Sequence, residues 1–326
     1  MERARRLLAH LDHTPASSPT VKPAACGWVT VAVEPDDCVK PRVQTMRGKR
    51  VVITGGTRGI GLEIGKRLAS EGAHVALLGK TTEAHSALEG TIHTAAAEIN
   101  AQGGRAIGVR CDVRDDASVR AAIDQVAREL GGIDIVVNNA SAIALTGTLA
   151  TSMKRFDLMM GVDGRGTFLV SQTCLPLLLD SAKQGRNPHV LTISPPLAQL
   201  DARWVKDNTA YAIAKYSMSM CSLGMAEEFR KDGVAFNSLW PRTAVATAAV
   251  KNLLGGEPVA KLSRTPRIMA DAALCIVASD AATCTGKFFI DDVVLMSTGV
   301  TLMDMERLYT VTPGTHSGEL APDFFC

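Results

Sequence analysis

A short glycine-rich stretch between a strand and a helix constrains the fold of this chain more than any other feature. Residues 51–54 are apolar or β-branched, as a buried strand requires, and residues 62–68 carry apolar side chains at helical spacing. Between them lie Gly55, Gly59 and Gly61 in the pattern G-x-x-x-G-x-G. This geometry lets backbone N–H groups at a helix N-terminus bind a pyrophosphate. The same glycines are also compatible with a tight connection and nothing more, so a nucleotide site needs support from the rest of the sequence.

Short apolar strands alternate with helical segments from residue 48 onwards. Further strands are predicted at 74–78, 106–111, 133–138, 189–194, 234–239 and 287–290, with helices at 91–102, 115–130, 153–179 and 209–231. This alternation is typical of a parallel sheet that helices cover on both faces, with right-handed crossovers. We predict an α/β fold, a single doubly wound Rossmann-type domain with a seven-stranded parallel sheet, over residues 47–300. Residues 301–326 are predicted to form a tail that packs on this domain.

The first 46 residues differ from the rest of the chain. Residues 1–11 are basic and amphipathic, and the prolines of 14–23 prevent a regular helix or a central strand. The opening is similar to a mitochondrial transit peptide, although Glu2 and Asp12 argue against one. A poorly ordered N-terminal extension, or a start codon placed too early, is equally compatible with residues 1–46.

Composition and charge exclude several classes of function. The net charge of +2 does not favour nucleic acid as a partner, and no apolar run reaches the length of about 18–20 residues that a membrane span needs. The eight cysteines form no C-x-x-C pair, and the seven histidines do not cluster, so we expect no disulfide framework and no metal site. A reducing compartment follows, with the cytoplasm expected first and mitochondria or peroxisomes as alternatives.

Residues that follow the strands are the candidates for a nucleotide site, because ligands of doubly wound sheets bind beyond the carboxyl ends of the strands. In the glycine turn these are Gly55, Thr57, Arg58, Gly59, Ile60 and Gly61, and after the second, third and fourth strands they are Lys80, Asp112, Val113 and Asn138. We expect Asp112 to accept from the adenine amino group and Val113 to pack on the ring. Asn138 begins a small polar turn that lets the chain approach the ribose, although an Asn-Asn pair is also a common turn signal.

The residue after the second strand bears on the choice of cofactor. A site selective for NAD places an acidic residue there, against the ribose 2′-hydroxyl. This chain has Gly79-Lys80 instead, and Arg58 offers a second cation. One charge-assisted hydrogen bond to a 2′-phosphate is worth about 1.5–3 kcal/mol, which is roughly a ten- to hundredfold preference. NADP(H) is therefore the predicted cofactor, while solvated loop positions for both cations remain the alternative.

Tyr211 and Lys215 are the candidates for chemistry. They are four residues apart near the start of a predicted helix, so the phenol and the ammonium lie on one face. A free tyrosine titrates near 10, and a neighbouring ammonium is expected to lower that pKa. Such a tyrosine can exchange a proton with a substrate oxygen while a cofactor exchanges hydride with the carbon.

These motifs together resemble the short-chain dehydrogenase/reductase family. The resemblance rests on Thr54-Gly-Gly-Thr-Arg-Gly-Ile-Gly61, Asn138-Asn-Ala140 and Tyr211-x-x-x-Lys215, and it covers about residues 47–300. It implies an NADP(H)-linked oxidoreductase in which Tyr211 is the proton donor or acceptor and Lys215 also binds the nicotinamide ribose. It further implies a cofactor contact at Pro241, which precedes Arg242 where the family usually has glycine, and a homo-oligomer.

Two catalytic positions depart from the family pattern. The serine usually found thirteen residues before the tyrosine is Ala198 here, and Ser194 is the alternative if a longer loop brings its hydroxyl into the site. The family's helix asparagine, part of a proton relay, falls at Asp163. A buried Asp163 requires a raised pKa or a partner to donate a hydrogen bond.

Two functions from different classes follow from these observations. The first is an oxidoreductase that interconverts a carbonyl and an alcohol on a small lipophilic substrate, with the apolar segment 244–269 as a substrate wall, ordinary core or subunit contact. The second is a catalytically weak NADP(H)-binding protein that acts as a sensor or scaffold. An enoyl-thioester reductase is less favoured, because such enzymes usually space tyrosine and lysine more widely.

Overall fold

A seven-stranded parallel sheet forms the centre of the computed structural model, which describes residues 46–83, 90–253 and 255–325. The strands are β1 (Arg50–Thr54), β2 (His74–Gly79), β3 (Arg105–Arg110), β4 (Ile135–Asn138), β5 (His189–Ile193), β6 (Ala235–Trp240) and β7 (Phe288–Ile290). Their order across the sheet is β3-β2-β1-β4-β5-β6-β7, and every pairing is parallel. The predicted fold class is confirmed.

Helices cover both faces of the sheet. They are α1 (Gly59–Ser70), α2 (Ile92–Ala101), α3 (Asp116–Leu130), α4 (Met153–Met160), α5 (Gly166–Lys183), α6 (Ala202–Val205), α7 (Thr209–Glu228), α8 (Ala248–Leu253), α9 (Gly256–Lys261), α10 (Arg267–Val277), α11 (Asp291–Ser297) and α12 (Leu302–Tyr309). Two apolar cores result, one on each face, because alternate residues of a strand point to opposite sides. Val51 and Ile53 of β1 belong to one core, and Val52 belongs to the other.

Local sequence signals explain several helix ends. Asp115 caps α3 by accepting from the backbone N–H of Ser118, and Gly131 follows the helix at φ 79°. Thr91 caps α2 in a reciprocal pair with Thr94. These signals agree with the predicted starts of both helices to within one residue.

The long predicted helix at 153–179 is wrong in one respect. A π-helical turn at Gly161–Arg165 separates α4 from α5, and the helical path continues to Lys183. π-helical turns are rare and occur often at functional sites. Asp163 lies within this turn and is fully buried. The apolar periodicity of the sequence could not reveal this turn, because the same periodic pattern continues on both sides of the turn.

The two edges of the sheet differ in content. Since all strands are parallel, their amino ends lie at one edge and their carboxyl ends at the other. The carboxyl edge carries the glycine turn, Asn138, Ser194 and Pro241, which places the predicted residues on the ligand side of the fold. The predictions for 1–46 lie outside the described residues apart from Met46, which is buried. Within the described ranges, none of the helices combines the length and apolarity that a membrane crossing requires.

Candidate active site

The glycine turn after β1 is held against the start of the segment after β4. Gly55 and Gly59 have φ values of +65° and +55°, which side chains disfavour. A Cβ atom on Gly61 would lie 2.4 Å from the amide nitrogen of Asn139, so only glycine fits. The Asn139 amide donates to the carbonyls of Thr54 and Gly55 at 3.0 Å each. Asn139, which the sequence places in the Asn138-Asn-Ala140 motif without a role of its own, therefore fixes the shape of the turn.

The N-terminus of α1 faces this turn with its backbone donors available. Arg58 is the N-cap residue, its backbone is extended, and among the described residues no side chain caps the helix. No acidic residue stands in the first turn. Uncapped N–H groups and the helix dipole favour an anion at this position. The turn therefore fits the pyrophosphate of a dinucleotide, with Thr57 buried beneath it and Ile60 in the first helical turn.

The two cations predicted to bind the 2′-phosphate have partners within the chain. Arg58 donates from Nη2 to the carbonyl of Gly90 at 2.8 Å, and burial lowers its pKa. Lys80 pairs with Asp112, Nζ to Oδ2, at 3.1 Å. Hydrogen bonds from Arg114 and Lys80 hold the pKa of Asp112 well below its usual range. The side chain of Lys80 is 60% exposed and lies next to the turn, so a phosphate can contact it from the solvent side.

The other predicted nucleotide residues lie at the carboxyl edge in different settings. Asn138 is buried and donates to Ser171 Oγ at 2.9 Å, while its Oδ1 has no hydrogen-bond partner within the described part of the chain. Val113 packs toward the start of α5, where a Cβ on Gly166 would lie 3.0 Å from it. Pro241 follows β6 and is buried.

Tyr211 and Lys215 lie together on α7, and both are buried. Lys215 donates from Nζ to the carbonyl of Ile193 at 2.8 Å, which ties it to the end of β5. Burial lowers the pKa of Lys215, and the charges of Asp163 and Asp323 oppose that change. The ammonium therefore depends on carboxylates nearby.

The expected lowering of the Tyr211 pKa is wrong. Burial, with the charges of Asp163 and Asp323, raises the pKa of Tyr211 well above its usual value. A phenolate in this site would lose its hydration and face two carboxylates. Tyr211 is accordingly held as a protonated phenol.

Asp163 connects the reactive pair to the segment after β4. Its Oδ1 accepts from the backbone N–H of Ala142 at 2.8 Å, and its Oδ2 accepts from Ser141 Oγ at 3.3 Å. Burial raises the pKa of Asp163 to about 6, although Lys215 and these two hydrogen bonds favour the charged form. Arg165, the cation nearest in sequence, instead pairs with Asp116. The predicted need for a raised pKa agrees with this environment.

Ser194 lies at the end of β5, but its hydroxyl points along the sheet. Its Oγ donates to Ser238 Oγ of β6 at 3.0 Å, and the residue is 1% exposed. Its neighbour Ile193, through the carbonyl, is the residue that contacts Lys215. A role for Ser194 toward a substrate stays a prediction.

Several residues near the reactive pair escaped the sequence analysis. Trp240 ends β6 and places its ring 5.1 Å from the Lys215 ammonium. Phe325 stacks on Tyr211, and partly buried Asp323 lies on the same segment. The position of Trp240 at a strand end was a usable signal. The sequence predicts that the tail 301–326 packs on the domain, but nothing in its local pattern indicates that the tail contacts Tyr211.

Comparisons with known proteins agree with this geometry. Residues 49–257 match the family model described as short chain dehydrogenase. The chain is 50% identical to hydroxysteroid dehydrogenase-like protein 2 of Danio rerio over 86% of its length, and it spans only 64% of that relative. A short chain dehydrogenase of Mycobacterium thermoresistibile is 48% identical, with a TM-score of 0.77 over 86% of this chain and 95% of that one.

A more distant solved structure contains a cofactor. The short chain dehydrogenase of Burkholderia cenocepacia in complex with NADP is 25% identical, with a TM-score of 0.64 over 76% of this chain and 97% of that one. The strand order, the glycine turn, the buried tyrosine and lysine, and the match over 49–257 lead to one conclusion. This chain belongs to the short-chain dehydrogenase/reductase family.

Proposed function

We propose that this protein is an NADP(H)-dependent oxidoreductase that interconverts a carbonyl and an alcohol on a small lipophilic substrate. The observation that carries the proposal is the buried pair of Tyr211 and Lys215 on one helix face, at the same sheet edge as an uncapped helix N-terminus and glycine turn. This juxtaposition supports proton transfer next to a bound dinucleotide.

The residues of the turn fit the cofactor. The N–H groups at the start of α1 would hold the pyrophosphate, and Arg58 with Lys80 would face a 2′-phosphate. The NADP bound in the Burkholderia relative supports the same choice. The nicotinamide, when bound, supplies or accepts the hydride at the carbon that carries the substrate oxygen.

Tyr211 would hold the proton that the substrate oxygen gains on reduction. Its raised pKa keeps the phenol protonated at neutral pH, which suits a proton donor. Lys215, fixed by the Ile193 carbonyl, would stabilise the phenolate that remains after the proton leaves. The charge of Asp163, whose pKa burial raises to about 6, would favour the charged form of Lys215.

An apolar cavity beside the site suggests the class of substrate. It has a volume of about 360 Å³ and begins at Ala142, the residue whose N–H donates to Asp163. The lining consists of Ala142, Ile143, Ala144, Leu145, Thr146, Arg155, Leu158, Met159 and Leu253. Mostly apolar walls favour a lipophilic molecule over a sugar or an amino acid. The 244–269 segment contributes Leu253 to this wall, while Val250, Val259 and Ala260 lie in a small core cluster.

Replacement of Tyr211 by phenylalanine tests the proposed chemistry. Oxidation of NADPH would be followed with a panel of fatty aldehydes, ketones and steroids. Because the phenol supplies the proton, Tyr211→Phe should lower kcat about 10²- to 10⁴-fold and leave NADPH binding nearly unchanged. Tyr309→Phe, which removes a hydroxyl bound to Asp271 away from the site, is the matched control and should retain kcat.

Two outcomes would contradict the proposal. Undiminished turnover in Tyr211→Phe would exclude the proton-transfer role. Tight NADPH binding by the wild type without turnover on any substrate would favour the second candidate, a weakly catalytic sensor or scaffold. The hydroxyl of Ser194, directed at Ser238, is the observation that favours that candidate.

We also propose that the protein forms a homo-oligomer. Exposed apolar side chains lie on the outer faces of two long helices, with Phe168 on α5 and Ile213, Met220 and Leu223 on α7. Apolar side chains grouped on adjacent helices are typical of a protein interface.

A further inference from the structure

One aromatic cluster contacts both members of the reactive pair. Phe325 stacks against Tyr211 with ring centroids 6.1 Å apart and an interplanar angle of 27°. Its other neighbours are Tyr216, edge-on at 5.2 Å, and Trp240 at 5.8 Å. Trp240 in turn faces the Lys215 ammonium. These distances lie within the ranges of favourable aromatic and cation–π contacts. Phe325 therefore connects the phenol to the ring that holds the ammonium.

Hydrogen bonds to residues 240–244 hold the segment 320–325 in place. The indole N–H of Trp240 donates to the carbonyl of Phe324 at 2.6 Å. The backbone N–H of Asp323 donates to the carbonyl of Arg242 at 3.1 Å, and that of Ala244 donates to Ala321 at 2.8 Å. The segment is therefore hydrogen-bonded along its length to the end of β6 and to the residues that follow β6.

The backbone at Phe325 adopts a conformation that bulky residues avoid. Its φ is +68°, in the left-handed region, and its side chain is fully buried. Such conformations persist only where the surroundings hold them, and they concentrate at functional sites. Here the surroundings are the rings of Tyr211, Tyr216 and Trp240.

The same segment brings a charge to the site. Asp323 is partly buried, and desolvation with the charge of Asp291 raises its pKa to about 7. Its charge favours the protonated forms of both Tyr211 and Lys215. The segment therefore acts on the reactive pair through a ring contact and through a carboxylate.

We propose that the segment 320–325 completes the candidate active site, with Phe325 as a positioning residue that holds the Tyr211 phenol in register with Lys215. This inference rests on the proposed oxidoreductase function. Without the Phe325 ring, one face of Tyr211 loses its contact, and the phenol samples positions that are unproductive for proton transfer. Displacement of a reacting group by about 1 Å can lower a rate about a hundredfold.

Replacement of Phe325 in the full chain tests the proposal. Phe325→Ala should lower kcat about ten- to hundredfold, with the Kd for NADPH within about twofold of wild type. Phe325→Tyr keeps the ring and should restore kcat to within about threefold. Phe325→Leu fills part of the volume without a ring, and it serves if the alanine variant does not fold. Phe229→Ala removes a ring of the same size from its contact with Phe236 in the other core, and it should leave kcat unchanged.

Two kinetic results would overturn the proposal. One is a kcat for Phe325→Ala equal to that of Phe229→Ala. The other is tighter NADPH binding with unchanged kcat, which would mean that the segment competes with the cofactor.

A measurement that needs no turnover separates this proposal from the proposed function. The chain has three tyrosines, so ring signals of labelled tyrosine in NMR spectra can be assigned with Tyr211→Phe. Phe325→Ala should shift the Tyr211 signal and speed its ring flips while Tyr309 stays unchanged. If the wild type reduces no substrate, this result still supports the positioning role, and an unaltered Tyr211 signal refutes it.

Discussion

Both edges of the sheet contain buried carboxyl groups, but the pKa values of these groups shift in opposite directions. At the amino edge, Asp134 is fully buried between Arg50 and Arg186. At the carboxyl edge, Asp163 and Asp291 are buried and Asp323 is partly buried, without an equally complete set of donors. The amino edge uses its buried charge for stability, whereas the carboxyl edge, under the proposed function, keeps its charge available for chemistry.

The amino edge satisfies its carboxylate completely. Asp134 accepts from Nε and Nη2 of both Arg50 and Arg186, from the Arg50 backbone N–H, and from Ser181 Oγ. Burial alone would raise the pKa of Asp134, but these hydrogen bonds outweigh it and hold the pKa below its usual range. Its contribution to stability is therefore present above the ordinary pKa of 3.8 and is lost as the pH falls.

His189, at the same edge, also contributes stability that is lost as the pH falls. Burial lowers its pKa to about 4, while the ring Nε2–H donates to the carbonyl of Ser279. The neutral ring is the folded form, so stability declines as the pH falls from its ordinary pKa of 6.5 through about 4. Acid should therefore weaken the amino edge.

At the carboxyl edge, the contribution of the carboxyl groups to stability depends on pH in the opposite direction. Burial raises the pKa of Asp163 to about 6 and the pKa values of Asp291 and Asp323 to about 7. The folded state favours the protonated form of these groups, so their contribution to stability is lost as the pH rises through those pKa values. Perturbed carboxyl groups of this kind cluster at functional sites, because a poised proton is useful in catalysis.

The largest expected effect on stability is at the amino edge. Asp134→Asn leaves two arginines facing an amide that both accepts and donates. The free energy of unfolding should fall by about 3 kcal/mol, because a buried pair loses one partner. Chemical denaturation at pH 7 would measure it. The control Asp180→Asn breaks an exposed pair with Lys183 and should have no measurable effect. Equal stability of the two variants would refute the account of this edge.

Asp163→Asn should show the opposite dependence on pH. Since folding favours protonated Asp163, the wild type loses stability between about pH 4 and pH 7, up to about 3 kcal/mol, and the amide does not. The stability of the variant relative to wild type should therefore rise across this range in denaturant melts. Asp157→Asn, at an exposed position on α4, should follow the wild type at every pH. A flat difference between Asp163→Asn and wild type would show that burial does not perturb this carboxyl.

The smallest effect on stability concerns the exposed ion pair at the carboxyl edge. Lys80→Asp should leave the melting temperature nearly unchanged, because the Lys80–Asp112 pair is solvent-exposed. It should still reduce the preference for NADPH over NADH by about tenfold or more, since a 2′-phosphate would meet a carboxylate. Lys183→Asp removes an equally long pair, at 3.1 Å, near the amino edge and is the control. Unchanged NADPH affinity in Lys80→Asp would refute the role of Lys80.

Much of the fold followed from local pattern. The alternation of strands and helices predicted the seven-stranded parallel sheet, and all seven strands lie within two residues of their expected ends. The glycine pattern and the residues that follow the strands predicted a nucleotide site at the carboxyl edge, and the four-residue spacing of Tyr211 and Lys215 predicted that they share one helix face. The π-helical turn was not predictable, because glycines at 161, 164 and 166 are equally compatible with an ordinary helix.

By itself, then, the sequence determined the sheet, and it predicted the nucleotide edge and the pair of Tyr211 and Lys215 that we propose to be reactive, since each depends on spacing along the chain. Only the tertiary structure decided the protonation and the surroundings of that pair. The pKa values of Asp163 and Tyr211 depend on burial and on charges brought from other segments. The contact of Phe325 with Tyr211 joins residues 114 positions apart. Such contacts arise from packing of the whole chain, and no local pattern encodes them.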